Sequence, residues 1–269
     1  MTAKDAAFTG SVPKIYETHL VPLIFEPYAA DMVKRLAPLR PARVLEIAAG
    51  TGVVTRALSA ALPDAEIVAT DLNQAMLDQA AAIGTRRKVE WRQADAQQLP
   101  FADASFDAVV CQFGVMFFPD RIKGYSEARR VLKPGGLYAF NVWDSLAENE
   151  FPRIVHETAA AMFPKDPPGF LGRTPHGYCD PKIIARDLAA AGFKKVPEIT
   201  AVTARARAAS AAGPATGYCQ GTPLRAEIEA RGAGRLQEAT DAATAAIAKR
   251  FGSGAVEGTI QALVITVAA

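Results

Sequence analysis

Residues 44–52, Val44-Leu45-Glu46-Ile47-Ala48-Ala49-Gly50-Thr51-Gly52, decide how the chain is read. A short apolar run holds a carboxylate near its end and then turns through small residues. Small residues at such a turn let a ligand press against the backbone, because no side chain stands in the way. The run also opens a rhythm. β-rich stretches lie at 43–47, 66–70, 89–93, 106–112 and 137–143, with helical stretches at 53–61, 73–82 and 120–132 between them. Strands that are apolar nearly throughout and alternate with helices indicate a parallel sheet covered on both faces. "LKPGG" at 132–136 reads as a helix stop followed by a turn, since Pro134 cannot continue a helix and glycine accepts positive φ.

Outside this core the pattern loosens. Residues 13–38 read as helical, with Pro22, Pro27 and Pro38 as interruptions. Residues 145–179 hold five of the eighteen prolines and several aromatics, and read as an insertion after the fifth strand. A helix start follows at Asp180-Pro181, an N-cap and a first-turn proline, running to Gly192. Strands are expected at 196–206 and in the apolar end TIQALVITVAA, with an alanine-rich helical section over 207–250 between them. The expectation is a single α/β domain over 1–269, a doubly wound, mostly parallel seven-stranded sheet. Segments 1–38, 145–179 and 207–235 are expected to cover its site as lids.

Thirty basic against twenty-eight acidic residues leave a net charge of +2, without the concentrated positive charge that phosphate neutralisation needs. Arg86-Arg87-Lys88 and Arg129-Arg130 are too short to supply it, so nucleic acid is not an expected partner. Cys111, Cys179 and Cys219 are too scattered for a disulfide framework or a zinc site, and no metal is expected. The N-terminus has no apolar signal core, and no apolar run approaches the ~18 residues of a membrane span. A soluble, cytoplasmic protein is the expectation.

In open α/β sheets ligands sit beyond the carboxyl ends of the strands, where strand order reverses. A nucleoside triphosphate would require a lysine after the last glycine, and none follows Gly52. A dinucleotide would favour a small third residue, but Thr55 stands there. Asp71 ends the second strand, where a carboxylate can take both ribose hydroxyls; Asp71-Leu72-Asn73-Gln74 also reads as a capping box. Asp95, followed by Ala96, ends the third strand and can take an adenine amino group; taken alone it reads more often as a turn residue. Their joint placement on three successive strand ends favours the nucleoside.

"VLEIAAGTG", "IVATDLNQAMLDQA", "ADAQQLPFADASFDAVVCQFGVMFFPD" and "RRVLKPGG", taken in order, resemble the motifs of class I S-adenosylmethionine-dependent methyltransferases, most nearly the branch of quinone-biosynthesis and small-molecule enzymes. The resemblance covers about 40–143 and is loose beyond. It implies a Rossmann-like methyltransferase fold, S-adenosyl-L-methionine as cofactor, and S-adenosyl-L-homocysteine as product. It implies a cofactor set of Tyr16, Glu46, Ala48, Ala49, Gly50, Asp71, Leu72, Met76, Asp95, Ala96, Gln112 and Phe113. Ala48 stands where the family's first glycine is usual, and because a methyl group disfavours positive φ, a turn conformation open to alanine is expected. Glu46 replaces the more common aspartate and is expected to order the turn through backbone amides or water.

A sulfonium methyl group is already activated, so alignment is the enzyme's main task, and a general base is needed only for a protonated acceptor. Gln112 at the fourth strand end, His19 and His176 are the catalytic candidates; His156 and Tyr178 carry weaker claims. Phe113, Phe117, Phe118 and Trp143 make an apolar pocket for a small, apolar or aromatic acceptor plausible. An NAD(P)-dependent oxidoreductase, a non-catalytic cofactor-binding module and a metalloid methyltransferase using the three cysteines stand as alternatives, and a homodimer is left open.

Overall fold

The computed structural model describes Phe8 and residues 10–269. Seven strands form one sheet: β1 (Arg43–Ile47), β2 (Glu66–Asp71), β3 (Glu90–Gln93), β4 (Phe106–Gln112), β5 (Leu132–Trp143), β6 (Glu198–Ala208) and β7 (Val256–Ala268), in the order β3-β2-β1-β4-β5-β7-β6. β1 pairs in parallel with β2 on one side and β4 on the other, Val44 lying opposite both Ile67 and Ala108. The chain therefore winds outward through β2 and β3, then returns to lay β4 beside β1. That reversal leaves a crevice between the carboxyl ends of β1 and β4. β7 runs antiparallel to both β5 and β6.

Alternate residues of β1 feed two apolar layers, as a sheet buried on both faces requires. Val44 packs with Val54, Leu58, Met32 and Leu36 under the helices Val53–Ala61 and Glu26–Leu36. Leu45 and Ile47 face the larger layer with Val109, Tyr138 and Phe140.

Three sequence expectations change in the structure. Leu132–Trp143 is one strand, and the "LKPGG" glycines form a bulge inside it rather than a turn before it. The pairing jumps from Phe106↔Leu132 to Ala108↔Leu137. Gly135 takes φ +78°, and a Cβ on Gly136 would meet the Asp107 carbonyl at 2.9 Å. Second, the N-terminal prolines do not interrupt. Val12–Ile15, Tyr16–Phe25, Glu26–Leu36 and Ala37–Leu39 follow one another as a continuous helical path. Pro22 lies within the π-helical Tyr16–Phe25, and Pro27 stands in the first turn of Glu26–Leu36, where the ladder changes from π to α register and its fixed φ suits the helix. Residues 1–7 and 9 of the expected lid segment lie outside the described residues.

Third, 145–179, read from the sequence only as an insertion, is a packed helical layer. Helix Glu150–Met162 buries Phe151, Ile154 and Val155. The Asn149 amide donates to the carbonyls of Asp144 (3.2 Å), Ser145 (3.0 Å) and Gln261 (3.1 Å), tying the helix start to β7. The alanine-rich section divides into helices Ala212–Gln220, Leu224–Glu229 and Arg235–Phe251, after its first two residues complete β6. Gly217 lets the first of these lie against Tyr16–Phe25, since a Cβ there would come within 2.8 Å of Leu20. Among the described residues no helix is long and apolar enough to cross a membrane.

Candidate functional site

The glycine turn after β1 bends through left-handed backbone, with φ +55° at Ala48, +56° at Gly50 and +82° at Gly52. Ala48 therefore takes the conformation that its methyl group was expected to avoid, at a cost of about 1–2 kcal/mol for an L-residue. The methyl tucks toward Gly114 after β4, where an added Cβ would come within 2.5 Å of it. Gly52 is held by crowding: a Cβ there would lie 2.7 Å from the Trp91 ring.

Glu46 does not reach the turn amides. Its buried carboxyl accepts a very short hydrogen bond from the Thr55 hydroxyl, in the first turn of Val53–Ala61. Burial pushes its pKa up to about 8, with the Thr55 bond opposing and Asp71 adding to the rise. Thr55, which spoils the dinucleotide pattern, is thus the partner that permits a carboxyl group beneath the turn.

Asp71 binds the turn directly. One carboxylate oxygen accepts from the Gly50 N–H at 2.9 Å and the other from the Asn73 N–H at 2.8 Å. It is not the helix cap, since helix Gln74–Ile83 starts after Asn73. Burial raises its pKa while these N–H groups oppose the rise. The second oxygen also accepts from the Asn73 side-chain amide at 3.4 Å, and since a carboxylate has about four lone-pair sites, acceptor capacity remains on the oxygen that faces Gly50. Asp95 repeats the arrangement, accepting from the Gln97 N–H at 2.8 Å, but it is exposed. Its turn role is therefore real, and it does not occupy the whole carboxylate.

At the end of β4, Phe113 takes φ +52° and its N–H donates to the Asn141 side-chain oxygen at 2.8 Å. The ring stacks on Trp143 with centroids 3.8 Å apart. The Gln112 amide donates to the Phe25 carbonyl at 3.3 Å and accepts from Asn141 at 3.5 Å. It is engaged at both ends. Asn141, a polar residue within the apolar LYAFNVW run, organises this corner and was not singled out in the sequence; its isolation there was the available signal.

A cavity of about 360 Å³ joins these strand ends. Of the sequence-derived candidates, Tyr16, Ala48, Gly50, Asp71, Leu72, Met76, Asp95, Ala96, Gln112, Phe113 and His176 line it. Glu46, beneath the turn, and Ala49, within it, do not line the cavity, and His19 is outside, its Cβ close to where a Gly217 side chain would start. Tyr218 and Thr222, which sequence reasoning missed, also contribute. Their alanine-rich surroundings carry no motif; only the fold brings them in. Two carboxylates and no lysine or arginine line the described cavity, which suits a cation better than a phosphate. Above the turn, Glu17 pairs with Arg56 at 2.8 Å, and Arg56 donates to the Thr51 carbonyl at 2.6 Å, so the N-terminal helix is bound to the glycine turn.

S-adenosylmethionine fits these residues. A Cβ on Gly50 would stand 3.5 Å from the Met76 methyl and 3.9 Å from the Tyr16 hydroxyl, so glycine keeps the cradle open. The buried Asp71 carboxylate beside it retains free acceptor sites.

Comparison with known proteins agrees. The family described as "Methyltransferase domain" matches residues 45–140. A demethylmenaquinone methyltransferase of Clavibacter sepedonicus is 44% identical over 108 residues, 38% of this chain and 42% of the relative, so this match spans less than half of that protein. A demethylmenaquinone methyltransferase of Corynebacterium kroppenstedtii is 34% identical over 172 residues, 61% of this chain and 72% of the relative. In structure, a SAM-dependent methyltransferase from Thermotoga maritima superposes with a TM-score of 0.54 at 17% identity, covering 100% of this chain and 99% of that one, a likeness of fold. With most of the Corynebacterium protein matched, and strands ordered as a nucleoside crevice requires, the chain belongs to the class I S-adenosylmethionine-dependent methyltransferases.

Proposed function

We propose that the chain, as one domain over 1–269, transfers the methyl group of S-adenosylmethionine to a small, largely apolar aromatic acceptor in the cytoplasm. The observation that carries this reading is one continuous cavity with two unlike ends. Its polar end, at Asp71, Asn73, Asp95 and Gln97, suits an adenosine; its other end is walled by Phe117, Phe118, Trp143, Phe170 and Leu171. In this reading Asp71 takes the ribose hydroxyls and Asp95 with Ala96 the adenine edge. Leu72 and Met76 flank the ring, and Ala48 and Gly50 face the methionine part. Glu46 supports the turn from below and Ala49 from within it.

When bound, the cofactor supplies an electrophilic methyl group whose carbon–sulfur electron pair stays on sulfur as the acceptor's lone pair forms the new bond. The protein's own contribution is alignment and exclusion of water, which together account for up to about 7–11 kcal/mol in well-oriented systems. Segments 1–38, 145–179 and 207–235 act as the cover: Tyr16 and Phe25, Phe170 and His176, and Tyr218 and Thr222 reach the cavity from each in turn. The three cysteines are all free, in keeping with a reducing compartment. The relatives' names make a quinol-like ring the first acceptor to try. The test is incubation with S-adenosylmethionine and a panel of phenols, quinols and amines, followed by mass spectrometry. A product heavier by one CH2, formed together with S-adenosylhomocysteine, is expected. Tight cofactor binding with no transfer across the panel would favour a binding module instead.

A further inference from the structure

The acceptor end of the cavity is apolar except at a few points, and most of those are already satisfied. Gln112 is bonded at both ends of its amide. The Thr222 hydroxyl donates to the Tyr218 carbonyl at 2.7 Å and accepts from the Leu224 N–H at 3.2 Å. Two groups differ. His176 Nδ1 lies 2.7 Å from the Asp144 carbonyl oxygen. A carbonyl can only accept, so the ring proton resides on Nδ1 and Nε2 carries a bare lone pair. The Tyr218 hydroxyl, buried on helix Ala212–Gln220, has no hydrogen-bond partner among the described residues.

An apolar pocket with one unpaired acceptor and one unpaired donor specifies the polarity of what enters it, because a ligand lacking the matching groups leaves both unsatisfied. We propose that the acceptor is a hydroxylated aromatic compound, whose reacting hydroxyl donates to His176 Nε2 and whose second oxygen accepts from the Tyr218 hydroxyl. This inference rests on the methyltransferase reading above and narrows it.

The electrostatics agree. Burial holds the His176 pKa down to about 4, against the opposing pull of the Asp144 carbonyl and with His156 adding to the fall. The imidazole is therefore neutral near pH 7. Burial also raises the Tyr218 pKa, keeping it a donor. No carboxylate lines this end, so an ammonium acceptor would enter without a counter-charge, at a desolvation cost that a neutral hydroxyl avoids. A weak base suffices for a hydroxyl. As the oxygen's lone pair forms the bond to the methyl carbon, the oxygen becomes cationic and its proton passes readily to Nε2, which returns it to solvent.

The test uses the full chain, S-adenosylmethionine, and three probes: a naphthol, a dihydroxynaphthalene and naphthylmethylamine. The unaltered protein should turn over the dihydroxynaphthalene with a kcat/KM about tenfold above the naphthol's, and leave the amine unmethylated. Tyr218→Phe should abolish that tenfold preference by raising KM. His176→Asn keeps a donor at the Nδ1 position and loses Nε2. It should lower kcat by about 10²–10⁴-fold, and its rate should rise with pH as the hydroxyl ionises, where the parent is flat over about pH 6–8. Calorimetric binding of S-adenosylmethionine should be unchanged in both variants, which shows that they fold. An amine methylated as fast as the naphthol overturns the inference using the unaltered protein alone, as does a His176→Asn enzyme within twofold of the parent. Absence of cofactor binding by the parent overturns the methyltransferase reading instead.

Discussion

Ala48 and Gly114 are expected to depend on each other. A Cβ on Gly114 would lie 2.5 Å from the Ala48 methyl carbon and 2.6 Å from the Cys111 sulfur, where unstrained carbon contacts are ~3.5–4.0 Å. Gly114→Ala therefore pushes about 1 Å into half-buried Ala48 and buried Cys111 at once, and overpacking of this kind costs roughly 1–3 kcal/mol. Ala48→Gly alone should change stability by less than about 1 kcal/mol, because relief of the left-handed strain is offset by the greater freedom of an unfolded glycine. In the double variant the methyl–methyl clash is gone and only the Cys111 contact remains. The pair should then be less destabilised than the sum of the singles by about 1 kcal/mol or more. Urea unfolding followed by the fluorescence of Trp91 and Trp143 measures each free energy. Additivity within about 0.5 kcal/mol would show that the Ala48 methyl does not face Gly114, and that the turn geometry is wrong.

Asp71→Asn should be far from conservative. Both Asp71 oxygens accept from backbone N–H groups, so an amide must turn its NH2 toward one of them. A stability loss of about 1–3 kcal/mol is expected by urea titration, and cofactor affinity should fall at least about tenfold. Glu46 makes stability depend on pH: its folded pKa is raised to about 8 from an ordinary 4.5, so across that window the native state holds a proton that the unfolded chain has released. Stability should therefore fall as pH rises from 4.5 to 8, and Glu46→Gln, measured by denaturation at several pH values, should flatten the slope. Phe117→Ala, at the half-buried aromatic wall, should raise the acceptor KM by about tenfold or more while calorimetry shows unchanged cofactor affinity.

What the sequence disclosed follows from how local each cause is. β1, β2 and β4 are apolar runs between turn signals, and their pairing order follows from the crossover rules once the helices are placed. Asp71 and Asp95 were legible because one ends β2 and the other follows β3 by two residues; each makes a short backbone turn and lines the cavity, and the capping reading of Asp71 fails because helix Gln74–Ile83 starts after Asn73. The turn expected at "LKPGG" became a bulge because β5 pairs with β4 on both sides of it, which no local signal reveals. Ala48 takes left-handed backbone because Gly114, sixty-six residues away, leaves room for its methyl. Thr55 looked like a defect in a glycine pattern until its hydroxyl met Glu46. Tyr218 and Thr222 reach the cavity only because Gly217 admits Leu20, and packing of that kind carries no periodicity.

The central claim is that the crevice between β1 and β4 holds S-adenosylmethionine through Asp71. Isothermal titration of the full chain with S-adenosylmethionine, S-adenosylhomocysteine and NADH, repeated on Asp71→Ala, tests it most directly. Saturable binding of both adenosyl ligands and none of NADH is expected, with affinity falling at least about tenfold in the variant. Binding of NADH in place of the adenosyl ligands, or equal S-adenosylmethionine affinity in parent and variant, would contradict it.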